Sequence, residues 1–163
     1  MRTVLLLLVL SATAYREAET HEHVPYRIAL QTDQLFEVYH DGQRVPPLAA
    51  VLKSREEERT FLDRSPRQQI RTLHGGRTFR PFPLIDYETE TAVVLTLGTR
   101  GSGSVGLRVD SVVAVDGRAT VYATEVRPCV GNRAMAHPAV VLALKGGGRA
   151  VAFAPVRVEE VCW

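Results

Sequence analysis

The sequence predicts a mainly β domain of the α+β kind, an antiparallel sheet or sandwich-like body with one short helix near residues 54–64. Five or six apolar, β-branched runs fill the last seventy or so residues. Gly-bearing turns separate several of them. A single convincing helix start stands at Ser54. No repeat or low-complexity segment interrupts the pattern.

The chain opens with a cationic head, Met1-Arg2-Thr3, an apolar run from Val4 to Leu10, and Ser11-Ala12-Thr13-Ala14. These are the three parts of a cleavable secretory signal, the small side chains at the end suiting the peptidase pockets. The signal is expected over residues 1–14, with cleavage after Ala14. The run is far shorter than the roughly 20 apolar residues of a spanning helix. No Cys follows it to take a lipid, so a periplasmic or secreted protein is expected, without a stable membrane anchor. About 149 residues then remain, with a formal charge that falls from +2 to about +1. So small a surplus gives no case for a nucleic-acid partner.

Residues 15–24 are polar and read as a flexible lead-in, and residues 25–163 as one β-rich domain. Arg27 to Leu30 and Leu35 to Tyr39 are short strand-like runs, the second followed by the turn signal Asp41-Gly42. Pro46-Pro47 ends any strand there, and Leu48 to Leu52 is a further apolar run. Ser54 followed by Glu57 has capping-box spacing. Acidic residues fill the first helical turn, where the helix dipole favours them, and Phe61-Leu62 supply the apolar face. The helix is expected to stop near Ser65-Pro66. Gln68 to Pro83 is a long loop with a short helical piece near 68–73.

Thr91 to Leu97 has the texture of a central strand. Val105, Leu107 and Val109 alternate. Val112 to Val115 and Ala119 to Ala123 flank Asp116-Gly117, which predicts a hairpin. Val140 to Leu144 and Val151 to Ala154 flank Gly146-Gly147-Gly148, which predicts another, and Val156 to Val161 is a last strand.

The two cysteines, Cys129 and Cys162, make an even count in an exported chain, and a disulfide is the leading reading. Two free buried thiols, or a metal site with His137, are the alternatives. Closing a loop of this length would stabilise by about 3–4 kcal/mol.

Several patterns resemble chemistry and fail on context. Gly101 to Gly106 fits G-x-G-x-x-G, but Leu107 to Val112 continues with strand period, and the fingerprint needs a helix there. No cofactor is therefore expected. Ser102 and Ser104 lack nucleophile-elbow spacing, although His74 and His137 exist elsewhere. His21 and His23 could share a strand face but lack a third ligand, so no metal is expected. Asp86, Glu88 and Glu90 alternate at a strand entry and read as its polar face. No catalytic residue is assigned.

The stretch from about Val51 to Phe153 resembles the C-terminal domain of the PrcB family, exported proteins named for a subunit that stabilises a surface protease complex. The resemblance rests on Lys53-Ser54-Arg55-Glu56-Glu57, Ile85-Asp86-Tyr87 before Ala92 to Leu97, the loop Gly98 to Val105, Pro128-Cys129, and His137 to Val141. The family's Pro-Thr-Gly-Gly-Tyr-like loop keeps only Gly103. Gly101, Ser102, Ser104 and Val105 stand for the Pro, Thr, second Gly and aromatic. The lost aromatic leaves either a different partner or a loop that serves structure alone. The resemblance implies a non-enzymatic module that binds a protein, an exported protease or envelope complex among the candidates. Loops on a rigid scaffold commonly carry recognition. The candidate partner-binding loop is Arg100, Gly101, Ser102, Gly103 and Ser104, with Arg127 to His137 beside it. The alternative is an exported protease inhibitor that inserts Arg100 and its small neighbours into a cleft.

Overall fold

The computed structural model describes residues 22–32, 46–64, 85–132 and 134–162. The signal at 1–14, the run Leu35 to Tyr39, the Asp41-Gly42 turn and the short helix near 68–73 lie outside the described residues.

Among the described residues, nine strands and one helix follow in the order β1 (Glu22–His23), β2 (Tyr26–Thr32), β3 (Leu48–Leu52), α1 (Arg55–Arg64), β4 (Glu90–Thr96), β5 (Gly106–Val115), β6 (Arg118–Pro128), β7 (Ala139–Lys145), β8 (Ala150–Phe153) and β9 (Arg157–Val161). One sheet runs β2-β7-β4-β3, all antiparallel. The other runs β1-β5-β6, with β8 and then β9 lying parallel along β6. The mainly β fold with one short helix is as the sequence predicts. The second sheet is mixed rather than wholly antiparallel.

β4 and β7 explain the layering. Val93, Leu95, Val140, Leu142 and Leu144 face the other sheet and meet Leu107, Val112, Ala114, Ala119, Val121 and Ala123. The opposite face, Ala92, Val94, Val141 and Ala143, packs under Phe61, Leu62, Ile85 and Tyr87. A strand buried on both faces must read as a continuous apolar run, which is how both strands read.

Asp86, Glu88 and Glu90 do not share one polar face. Asp86 caps the turn, accepting from the Glu88 amide and the Thr89 hydroxyl, and Glu88 is exposed. Glu90 is buried and accepts two bonds from Arg27, at 3.0 and 2.8 Å. Those bonds outweigh burial and hold its carboxyl below the usual range.

The helix begins as the sequence indicates. Ser54 Oγ accepts the Glu57 amide at 3.1 Å, and the Glu57 carboxylate reaches back to the Lys53 amide at 2.6 Å, one residue before a standard capping box. Glu58, 2 % exposed, accepts from Arg55 at 2.7 Å and from the Tyr87 hydroxyl at 2.8 Å. Arg55 also donates to the Ile85 carbonyl and lies over the Tyr87 ring. This cluster fastens the helix to the turn that feeds β4. Burial and the bond to Glu58 push the Tyr87 hydroxyl up.

The Asp116-Gly117 hairpin forms as predicted, with Val115 opposite Arg118. Asp116 (φ 50°) and Gly117 (φ 76°) both take left-handed backbone, the mirror-image turn whose twist matches a hairpin. Counting down β5, the register shifts at Asp110, an extra residue that moves the inward set from Leu107 to Val112 and Ala114. Two runs that look separate in sequence are therefore one bent strand. Asp110 locks the bulge by accepting the Thr124 hydroxyl at 2.6 Å and Arg108 at 2.9 Å. The Thr124 bond, then Arg108, lowers its carboxyl despite burial.

Two further expectations are corrected. Gly146 to Gly148 is not a hairpin turn, because β7 already has β2 and β4 on its two edges. The chain instead crosses to the other sheet, where β8 adds to β6. Residues 22–24, placed in the lead-in by the sequence, also belong to the fold. Glu22 and His23 pair with Ala114 and Val113, and Val24, 3 % exposed, enters the core because it donates its amide to the Val112 carbonyl.

Candidate partner-binding surface

β4 and β7 are antiparallel neighbours, and so are β5 and β6. The end of β4 therefore lies beside the start of β7, and the start of β5 beside the end of β6. The β4–β5 and β6–β7 connections must cross between the sheets side by side, which brings together the two candidate segments, Arg100 to Ser104 and Arg127 to His137.

Their contact is built from backbone. Leu97 donates to the Pro138 carbonyl at 3.0 Å, and Arg100 and Ala136 exchange amide–carbonyl bonds at 2.8 and 3.1 Å. The β4–β7 ladder is thus carried past both strand ends. At the tip, the Gly103 amide donates to Asn132 Oδ1 at 2.8 Å, and the same oxygen accepts the Ala134 amide at 3.2 Å. A Cβ on Gly103 would stand 2.7 Å from Asn132 Oδ1 and 3.1 Å from Ala134 Cβ, and one on Gly131 would overlap Ser102 Oγ. Gly103 and Gly131 are thus two of the points where the loops pack too closely for a side chain.

Charge secures the base of the surface. Glu125 is 3 % exposed and accepts Arg100 Nε at 3.0 Å, Arg100 Nη2 at 2.8 Å and Arg127 Nε at 2.7 Å. Burial alone would raise its carboxyl. The two arginines outweigh burial, and the group sits below its ordinary value. Arg127 is raised in turn, chiefly by its bond to Glu125. Beneath the loops, buried His137 shares a hydrogen bond from Nε2 to Thr99 Oγ1 at 2.9 Å. Burial lowers its pKa, so the ring is neutral at pH 7.

Cys129 and Cys162 are joined in a disulfide, with Cα atoms 5.1 Å apart. The bridge ties the first residue of the β6–β7 loop to the residue after β9, beside a Cys129 amide bond to the Val161 carbonyl at 3.1 Å. From this frame Val130 projects at 91 % exposure and Met135 at 55 %. Both lie inside the segment Arg127 to His137, and the sequence does not mark either, because an apolar residue in a loop signals nothing until its exposure is known.

The remaining candidates are placed plainly. Ser102 Oγ lies 3.4 Å from the Ser104 amide, and Ser104 Oγ lies 3.4 Å from the Asn132 amide, so both hydroxyls face loop backbone. Gly101 and Ser104 are exposed, while Ser102 and Gly103 are partly covered. Arg100 is committed to Glu125. Among the described residues, no three His, Cys, Asp or Glu side chains group to hold a metal ion. No described helix is long and apolar enough to cross a membrane.

No family model matches the chain, and no curated protein or solved structure does.

Proposed function

We propose that this is an exported, non-enzymatic module that binds a protein through the paired β4–β5 and β6–β7 loops. The resemblance to PrcB C-terminal domains supplies the class of partner, an exported protease or envelope complex that the module stabilises. The observation that carries the reading is the pairing of the two nominated segments into one braced surface that displays Val130 and Met135. Flexible loops lose entropy when a partner orders them, and a loop pair already fixed by backbone bonds, an ion cluster and a disulfide avoids much of that cost. The disulfide suits an oxidising compartment outside the cytoplasm. Insertion of Arg100 into a protease cleft would break its three bonds to Glu125 and Thr99. The exposed apolar pair is therefore the contact we assign, and stabilisation is favoured over inhibition.

The test is a pull-down with the mature protein from its own envelope or culture fluid. Recovery of one protease or envelope complex, active and longer-lived in the module's presence, supports the proposal. Loss of the protease's activity would turn it towards inhibition, and recovery of no partner under gentle conditions would count against both.

A further inference from the structure

The outer edge of β9 is a strand edge that no described residue pairs. Its inner edge pairs with β6. The Val161 carbonyl accepts from Cys129, so it faces β6, and by strand alternation Arg157 and Glu159 also turn their peptide groups inward. Val158 and Glu160 turn theirs to the open edge. Arg157, Val158, Glu159 and Glu160 are all exposed, with Val158 at 53 %.

We propose that β9 pairs antiparallel with β9 of a second copy of this chain, about a two-fold axis at Val158. A two-fold axis normal to the sheet keeps each face on its own side, so it must pass through a residue. Centring it on Arg157 would oppose two arginines. Centring it on Glu159 or Glu160 would oppose two glutamates. Like charges directly across a ladder are destabilising. Centring it on Val158 opposes valine with valine, whose outward amide and carbonyl then exchange both ladder bonds. The same register sets Arg157 opposite Glu159 of the second copy, twice by symmetry. One Glu159 oxygen already accepts Arg108 at 2.7 Å, and among the described residues the other accepts no hydrogen bond, leaving it for the incoming guanidinium. Glu160 falls opposite Val156, with its backbone groups again facing the partner.

Charged side chains commonly protect an edge strand from pairing. Arg157, Glu159 and Glu160 disfavour the registers centred on themselves, and Arg157 with Glu159 favours the two-fold register centred on Val158. The pairing is independent of the loop surface proposed above. A five-residue edge gives a small interface, of the weak and reversible class.

The test is sedimentation equilibrium of the mature protein with its disulfide intact, from about 5 to about 500 μM, the range where a weak pair dissociates. The wild type is expected to show a monomer–dimer equilibrium. Arg157→Glu opposes two carboxylates and weakens it by about tenfold or more, and Arg157→Glu with Glu159→Arg restores it to within about threefold. Val158→Lys sets two ammonium groups on the axis at an exposed position that the monomer tolerates, and gives monomer throughout. A wild type that stays monomeric over the whole range overturns the proposal. So does a dimer indifferent to both Arg157→Glu and Val158→Lys.

Discussion

Replacement of Glu125 by Gln tests whether the ion cluster braces the loop surface. The native carboxylate accepts three bonds from two guanidinium groups, and its side chain is 4 % exposed. Removing one partner of a fully buried ion pair costs about 3–5 kcal/mol. Here the arginines are 26 % and 46 % exposed, so water recovers part of the loss, and about 2–3 kcal/mol is expected at pH 7. For a domain of this size that lowers Tm by about 5–10 °C. The sign with pH follows from the lowered carboxyl. Its contribution is present above the unfolded pKa of about 4.3 and is lost as pH falls through the lower folded value. The gap between wild type and Glu125→Gln should therefore be full at pH 7 and close towards pH 3. Urea unfolding at both pH values, read as a shift in midpoint with an unchanged slope, measures it. Equal midpoints at pH 7, or a gap that persists undiminished at pH 3, would refute the reasoning.

Tyr87→Phe removes a donor from buried Glu58 and should cost about 1–2 kcal/mol in urea unfolding. Absorbance titration should also lose one phenol that ionises only as the fold opens in alkali. Asp110→Ala leaves the buried Thr124 hydroxyl without its acceptor, and a loss of about 1–2 kcal/mol is expected in thermal unfolding at pH 7. Because the Asp110 carboxyl is lowered in the fold, this loss should fade as pH drops through its folded value. Cys129→Ser with Cys162→Ser opens a covalent loop of sequence separation 33, and denaturation should show about 3–4 kcal/mol lost. A variant as stable as the oxidised wild type would contradict that role.

Much of this fold could be read from the chain, for identifiable reasons. Doubly buried strands leave unbroken apolar runs, as Thr91 to Leu97 and Val140 to Leu144 do. Ser54 with Glu57, and Asp116 with Gly117, are local devices whose partners lie within a few residues. The convergence of Arg100 to Ser104 with Arg127 to His137 was also within reach. Pairing outward from Asp116-Gly117 without a bulge sets Gly106 opposite Arg127, one residue from its actual partner Val126, and the segments beyond must meet either way. Hidden were features decided by distant partners. Glu90 and Glu125 look like surface charges until Arg27 and Arg100 arrive from 63 and 25 residues away. The triple glycine resembles a hairpin turn, and only the occupancy of both β7 edges sends the chain elsewhere. Periodicity shows which side chains share a face, but it cannot name the neighbour or foresee the bulge at Asp110.

The central claim is that the paired loops are the surface a partner touches. Site-specific photo-crosslinking tests it most directly, with a photoreactive residue at Val130 or Met135 and a control at Tyr122 on the outer face of the β5–β6 sheet. The account predicts one protein adduct from Val130 and Met135 in the native envelope or culture fluid, and none from Tyr122. An adduct from Tyr122 with none from either loop position would contradict it.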